Sequence, residues 1–352
     1  MGATLSTVQP RSIRIILSGL GNIGRRFLSV LDLKASHLRA RYGLTFRLVG
    51  AADSGGAALT LDPDGLDVAT IVDLKQGKRS VATYPVQGRP GMSPLQLVQQ
   101  LDADALCEAT PVNLKHGEPG LSCIRAALGK GMHVVTANKG PLVLAYDELM
   151  ALARQQGRQL RFSGTVGGGL PAVNLGQRDL AGATIHRLEA VPNLTTSFIL
   201  DQMSHGMAYA QALAAAQAQG CAEADPSLDV EGWDAANKLV ILANAVLHIP
   251  ATLADVQVQG ITGLTQSDLE RARANGHVIK LVASAVQQGD RYLLTVAPTL
   301  LPMSHPLAQL GAQQMGIVYH TDIYGTISAA IVETEPIPSA ASLLRDLLAI
   351  WS

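Results

Sequence analysis

The sequence predicts an α/β chain: a doubly wound parallel sheet first, then a second domain of α+β character. Three observations carry this expectation. Up to about residue 160, short apolar runs that end in glycine or proline alternate with segments of helical period. From Gly164 the texture changes, because "GTVGGGLPAV" crowds glycines together and later stretches such as "TIHRLEAV" and "RYLLTVAPTLL" alternate as in an open, partly antiparallel sheet. The chain closes on "SAASLLRDLLAIW", an amphipathic helix free to pack back on the first domain.

Taken in order, "IRIILSG" has the unbroken apolar character of a strand buried on both faces. "IGRRFLSVLDLKASHLRARYG" follows with Ile23, Phe27, Val30 and Leu31 at helical spacing. "TFRLVGAAD" is a second strand, and "DALCEATP" a third that ends before Pro111. "GEPGLSCIRAALGKG" is a helix stopped by Gly131, with Lys130 placed for the negative end of its dipole. "HVVTANK" and "YDELMALARQQG" add one more strand and helix. Residues 1–160 are thus expected to form a Rossmann-like domain and residues 161–352 the second, with Ala-rich helices such as "YAQALAAAQAQG" between its strands.

Composition excludes several functions. Among 352 residues, a net charge of −1 leaves no basic surface for displacing nucleic-acid counterions, and 4% aromatics offer few platforms for stacking bases. Cys107, Cys123 and Cys221 are odd in number and outside any CxxC pattern, which suits a reducing compartment and a cytoplasmic protein. The opening "MGATLSTVQPR" lacks the apolar centre of a secretory signal; its MGxxxS spelling matches a myristoylation acceptor, and it is read as a loose arm. The longest uncharged stretch, Leu239 to Ala254, is too short and too polar to span a membrane. His205, His277, His305 and His320 are scattered without metal-ligand spacing, so no metal or triad role is expected of them.

The first motif with chemistry is "GLGNIG". Gly19, Gly21 and Gly24 fall in GxGxxG spacing between a strand and a helix, with Asn22 and Ile23 inside the loop. The first glycine allows a tight turn, the second lets a pyrophosphate approach the backbone, and the third lets helix and strand pack closely. Free N–H groups of the helix start then face the anion. The second strand ends in Asp53, an acid placed to accept from an adenosine ribose, which leans the cofactor towards NAD over NADP. Arg25 or Arg26 keeps NADP open.

The second is "CAEADPSLDVEGWDAANKLVILANAVL", where Glu223, Asp225, Asp229, Glu231 and Asp234 precede a single Lys238 at the mouth of an apolar run. Hydride transfer from an alcohol needs a group to take the hydroxyl proton. A lysine in water, at a pKa of about 10.4, is protonated and a poor base near neutrality. Desolvation favours the neutral amine, whereas an acid four residues earlier on the same helical face favours the charged one. On spacing alone, Asp234–Lys238 also reads as an ordinary helix pair.

"EATPVNLKHGEPGLSCIRAALGKGMHVVTANKGPL", "GTVGGGLP" and "AEADPSLDVEGWDAANKLVILA", in that order, resemble homoserine dehydrogenase over residues 13–310. The length is similar to the short form of that family, without a separate ACT domain. The resemblance implies interconversion of homoserine and aspartate 4-semialdehyde with NAD(P), as in threonine and methionine biosynthesis. It implies a nucleotide-binding domain and a catalytic region that also builds a homodimer. Lys238 is then the proton shuttle, Glu223 and Asp234 hold the substrate's amino group and local water, and Asp229 helps. Lys139, in "TANKG", contacts both substrate and cofactor, Thr195 belongs to the substrate site, and Thr110 lines the nicotinamide site. Backbone carbonyls of Ser163, Val166, Gly168 and Leu170 can bind sodium; a tight linking turn is the alternative.

Two stretches depart from the family. "AVPNLTTSFIL" keeps Asn193, Thr195 and Thr196 but has Ala190 and Leu194 where glycines are usual, and Pro192 between them. A leucine at a position needing positive φ would reshape the pocket. "IVETEPIPSAAS" puts Glu333 and Glu335 in place of loop glycines, with bulk and charge where a cofactor is expected. These departures leave open a paralogue acting on another small hydroxy acid or hydroxy amino acid, or a non-catalytic nucleotide-binding protein.

Overall fold

A computed structural model describes residues 10–352; the MGxxxS stretch lies outside the described residues. The described residues divide into two compact units, residues 10–162 with 339–352, and residues 163–338.

In the first unit the chain runs β1 (Arg11–Ser18), α1 (Asn22–Tyr42), β2 (Leu44–Asp53), β3 (Gly56–Leu59), α2 (Val68–Gln76), β4 (Gly88–Pro90), α3 (Pro94–Gln100), β5 (Ala105–Glu108), α4 (Gly120–Gly129), β6 (His133–Thr136), α5 (Lys139–Gln155) and β7 (Leu160–Arg161). These strands form one sheet in the order β4-β3-β2-β1-β5-β6-β7. β1, β2, β5, β6 and β7 pair in parallel, whereas β3 and β4 add antiparallel pairs at one edge. From β1 the chain moves outward to β4 and then returns to β5 on the other side. The loops after β1 and β5 therefore diverge, and such a switch point is where open α/β sheets bind ligands.

Hydrophobic burial holds this unit together. Ile13, Ile15 and Leu17 of β1, Phe27, Leu28 and Leu31 of α1, and Leu48 and Ala51 of β2 share one core cluster. The closing helix enters the same cluster through Ala340, Leu343, Leu344 and Leu347, and Trp351 meets Phe46 edge-on at 6.2 Å. Lys130 does not serve its own helix. Its ammonium reaches the carbonyls of Val98, Gln99 and Leu101 at 3.2, 2.8 and 3.0 Å, so it neutralises the C-terminal end of α3.

The second unit contains α6 (Ala172–Asn174), β8 (Ile185–Val191), α7 (Leu194–Ser204), α8 (Tyr209–Ala218), α9 (Ser227–Val230), α10 (Trp233–Ala245), β9 (Val256–Val258), α11 (Gln266–Ala274), β10 (His277–Gln288), β11 (Arg291–Pro302), β12 (Gln314–Thr321) and β13 (Thr326–Val332). Helix α12 (Ile337–Trp351) is the closing helix already described. The second sheet runs β13-β12-β8-β10-β11-β9, antiparallel except for β9 against β11. Alternate residues of such strands face one core, here Val191, Val282, Leu301 and Val318 under Leu307 and Leu310. Among the described residues no helix is long and apolar enough to cross a membrane.

Candidate active site

The glycine loop is built as its spacing requires. Gly19 has a φ of +97°, and a Cβ there would lie 2.3 Å from the Ala109 carbonyl oxygen, beside the end of β5. A Cβ on Gly24 would lie 1.9 Å from the Gly19 carbonyl oxygen, so only glycine lets α1 pack onto the turn. Gly21 is different, since nothing lies within 4 Å of its missing Cβ. It caps α1 without a side-chain hydrogen bond, leaving the first-turn N–H groups without a side-chain acceptor from the cap. This cradle fits a dinucleotide pyrophosphate.

Asp53 ends β2, but its oxygens are already engaged. Oδ1 accepts from Gly55 N at 2.9 Å and Ser80 Oγ at 2.6 Å, and Oδ2 from Lys75 Nζ at 2.6 Å and Val81 N at 2.9 Å. Burial pushes this carboxyl up, yet the Lys75, Ser80, Val81 and Gly55 donors together hold it below the usual range. A ribose at Asp53 therefore has to share or displace one of four donors. Lys75 and Ser80 gave no sign of this in the sequence, being 22 and 27 residues away.

Thr110 and Lys139 are organised by a residue that sequence reading passed over. Glu108, fully buried at the end of β5, accepts from Thr110 N at 2.8 Å, from the Thr110 hydroxyl, and from Thr136 Oγ1 at 2.8 Å. Asn138 Nδ2 reaches Thr110 Oγ1 at 3.3 Å, while Asn138 Oδ1 caps α5 by accepting from Gly140 N at 3.0 Å. Lys139 is thus the first residue of a capped helix. Burial raises the Glu108 carboxyl above the ordinary range, against the hydrogen bonds from Thr110, Thr136 and Asn138.

In the second unit Lys238 sits one turn into α10, its side chain 15% exposed. Its ammonium donates to Asp234 Oδ2 at 2.7 Å and to the Pro192 carbonyl at 2.7 Å. Asn193 Nδ2 donates to the same Asp234 Oδ2 at 2.7 Å and to Asp229 Oδ1 at 2.6 Å. The other end of that amide, Oδ1, caps α7 through Thr196 N at 2.9 Å. One amide therefore fixes two acids and a helix start. The "PNLTT" spelling carried a capping signal, but nothing local showed that Asn193 also reaches acids 36 and 41 residues on.

Other expected residues fall differently. Thr195 is buried, and its hydroxyl donates to the Cys221 carbonyl at 2.7 Å, away from the two acids. Glu223 is exposed, and its carboxylate makes no hydrogen bond or ion pair among the described residues. Leu194 opens α7 with ordinary negative φ, so the expected conflict with a glycine conformation does not arise. Pro192 contributes its carbonyl, which needs no N–H. Glu333 is buried and its carboxylate accepts from Gly169 N at 3.2 Å, placing its charge on the "GTVGGGLP" segment; Glu335 is exposed. In that segment Gly167 and Gly168 are left-handed, at +68° and +58°, and Ser163, Val166 and Leu170 are buried. The histidines are not all scattered: His305 and His320 converge on Glu189. Their separation of 116 and 131 residues from that acid hid this from any spacing rule.

Comparison with known proteins gives the glycine cradle and the Lys238 cluster a common context. The homoserine dehydrogenase profile matches residues 171–348, and the profile for the NAD-binding domain of homoserine dehydrogenase matches residues 19–163. A homoserine dehydrogenase of Methanocaldococcus jannaschii is 38% identical over 96% of this chain and 98% of its own length. The chain belongs to the homoserine dehydrogenase family. An NAD(+)-dependent homoserine dehydrogenase of Pseudomonas canavaninivorans is 34% identical, covering 96% of each chain. The crystal structure of a putative homoserine dehydrogenase from Archaeoglobus fulgidus superposes with a TM-score of 0.86 at 33% identity, over 97% of this chain and 99% of that one. A hyperthermophilic archaeal homoserine dehydrogenase in complex with NADPH matches at 0.83 and 25% identity, over 97% and 98%. This chain is accordingly an NAD(P)-dependent oxidoreductase, like the other homoserine dehydrogenases.

Proposed function

We propose that the chain interconverts L-homoserine and L-aspartate 4-semialdehyde with Lys238 moving the hydroxyl proton. The observation that supports this most is the Lys238 ammonium, held at 2.7 Å by both Asp234 and the Pro192 carbonyl with little exposure to water. A nicotinamide bound at the glycine cradle would supply the hydride acceptor or donor. In oxidation the ammonium first releases a proton to water, and the neutral Lys238 Nζ then accepts the proton of the substrate hydroxyl; in reduction the ammonium gives that proton back. Asp234 and Pro192 aim the nitrogen, and Asn193 fixes Asp234 against Asp229. Two acids around one lysine leave net negative charge when the lysine is charged, which suits the ammonium of an amino-acid substrate. The roles of Glu223 and Thr195 toward the substrate, and of Lys139 toward its carboxylate, rest on the family resemblance alone.

The cofactor is held by Gly19, Gly21, Asn22, Ile23 and Gly24, with Asp53 and Thr110 completing its site. NAD is preferred, because the Asp53 carboxylate repels a 2′-phosphate more than it repels a 2′-hydroxyl. Carbonyls of Ser163, Val166, Gly168 and Leu170 take a sodium ion, and the nearby Glu333 carboxylate favours a cation there. The enzyme works as a cytoplasmic homodimer, as the family resemblance implies.

The direct test follows reduced-cofactor absorbance with purified protein, homoserine and either NAD or NADP, in sodium or tetramethylammonium buffer. The expected result is homoserine-dependent reduction of NAD that Lys238→Ala abolishes. Turnover unchanged in that variant overturns the assignment.

A further inference from the structure

We propose that Glu189, His305 and His320 form a binding site for one divalent transition-metal ion of the zinc class, separate from the residues assigned to dehydrogenation. Glu189 lies on β8 and His320 on the adjacent β12, where the register pairs Glu189 with Val318 and Arg187 with His320. His320 therefore stands on the same sheet face as Glu189. His305 arrives on that face from the turn that starts the 3-10 segment Pro306–Gln309.

The two imidazoles point the same atom at the same oxygen. His305 Nε2 is 3.4 Å and His320 Nε2 3.1 Å from Glu189 Oε2, and all three ligand atoms lie within 4.8 Å of one another. A tetrahedral zinc ion with bonds of about 2.0–2.1 Å holds its ligand atoms about 3.3–3.4 Å apart. An ion therefore needs only small shifts to enter. Two imidazoles with one carboxylate favour zinc, cobalt or nickel over calcium or magnesium, which prefer all-oxygen shells. Glu189 is buried, whereas the His305 and His320 side chains are 16% and 26% exposed. One side thus stays open, both as an entry path and for a water in the fourth position.

The surrounding groups decide how well each ligand is prepared. Arg187 Nη2 occupies Glu189 Oε1 at 2.7 Å, fixing the carboxylate with Oε2 turned to the histidines, although its charge lowers affinity for a cation. His320 Nδ1 lies 3.1 Å from Thr326 Oγ1, which can accept the proton that a ring metallated at Nε2 carries on Nδ1. His305 is less well prepared. Its Nδ1 accepts from Leu307 N at 3.2 Å, so in the ion-free protein the neutral ring carries its proton on Nε2, facing Glu189. Metal at Nε2 moves that proton to Nδ1 and gives up the Leu307 bond. His305 is consequently the weaker of the two nitrogen ligands. The rival reading is a plain hydrogen-bonded cluster of Glu189 with Arg187 and two histidines.

The experiment titrates chelator-treated full-length protein with Zn²⁺ by calorimetry and with Co²⁺ by visible absorbance. The expected result is one ion per chain, with an intense tetrahedral cobalt band. His320→Gln weakens binding at least 100-fold and His305→Gln at least tenfold, whereas His277→Gln, at a half-buried histidine outside the cluster, binds as the parent does. Thr326→Val keeps all three ligands and the fold of an exposed edge position, and weakens binding about tenfold through the lost Nδ1 partner. Zn²⁺ raises the melting temperature of the parent and not of His320→Gln. No stoichiometric ion in the parent, a weak octahedral cobalt spectrum, or equal affinity in all four variants overturns the site in favour of the hydrogen-bonded cluster.

Discussion

Each unit contains a buried aspartate–lysine pair, and the two pairs look alike until their neighbours are counted in. Asp53–Lys75 closes at 2.6 Å and Asp234–Lys238 at 2.7 Å, and all four side chains are mostly shielded from water. Around Asp53 the further donors are Ser80 and the backbone N–H groups of Gly55 and Val81, so the acid is the hub and its lysine one spoke. Around Lys238 the order is reversed. The ammonium is the hub, with two acceptors among the described residues and three protons to place, while its acid is steadied from behind by Asn193. A saturated acid locks a loop in place; a lysine with a proton direction to spare is equipped for transfer. Distance alone does not tell these apart.

The largest expected effect separates the pairs by turnover. Lys238→Ala should lower kcat with homoserine by about 10²–10⁴-fold, the range for losing a general acid–base, whereas Lys75→Ala should change it less than tenfold. Equal losses, measured by cofactor absorbance, would dissolve the distinction. Next comes stability. Asp53→Ala strips four donors of their acceptor and leaves Lys75 without its counter-charge, at a cost of about 2–4 kcal/mol in urea unfolding; a cost below 1 kcal/mol would show that Asp53 is not a lock. Asn193→Ala should cost about 1–3 kcal/mol, from the lost helix cap and two hydrogen bonds to acids, and should lower kcat about tenfold; wild-type kcat would mean that Asp234 needs no support. The smallest effect is in pH. Because Asp53 is held below the usual carboxylate range, its contribution is complete above the unfolded value near about 3.9 and is lost as pH falls through the lower folded value. The stability gap between the parent and Asp53→Asn should therefore be flat above about pH 5 and narrow in stronger acid. A gap that widens on acidification would reverse the assigned sign.

Much of the first unit could be read from sequence, for physical reasons that also set the limit. β1, β2, β5 and β6 are apolar because helices cover both faces of a parallel sheet, and glycine or proline marks their ends. β3, β4 and β7 have four, three and two residues, and β4 is "GRP". They are strands only because a neighbouring edge pairs with them, which no local pattern records. In the site, Asp234 and Lys238 were legible because a four-residue step on a helix is a contact. The Pro192 carbonyl, Asn193's second bond and the Glu189 cluster join residues 36 to 131 positions apart, and only the tertiary fold brings them together. Leu194 shows the opposite error: a departure from family spelling looked costly, but a helix start accepts leucine without strain.

Asn193 donates both amide protons to carboxylates, one to each, and spends its oxygen on the start of α7. An aspartate at this position would exchange that NH₂ for O⁻ with hardly any change of shape. Three negative side chains would then surround a single ammonium, two former acceptors would face a third, and the cap would remain. Asn193→Asp would lose activity through a one-dalton change while its helix content stayed the same.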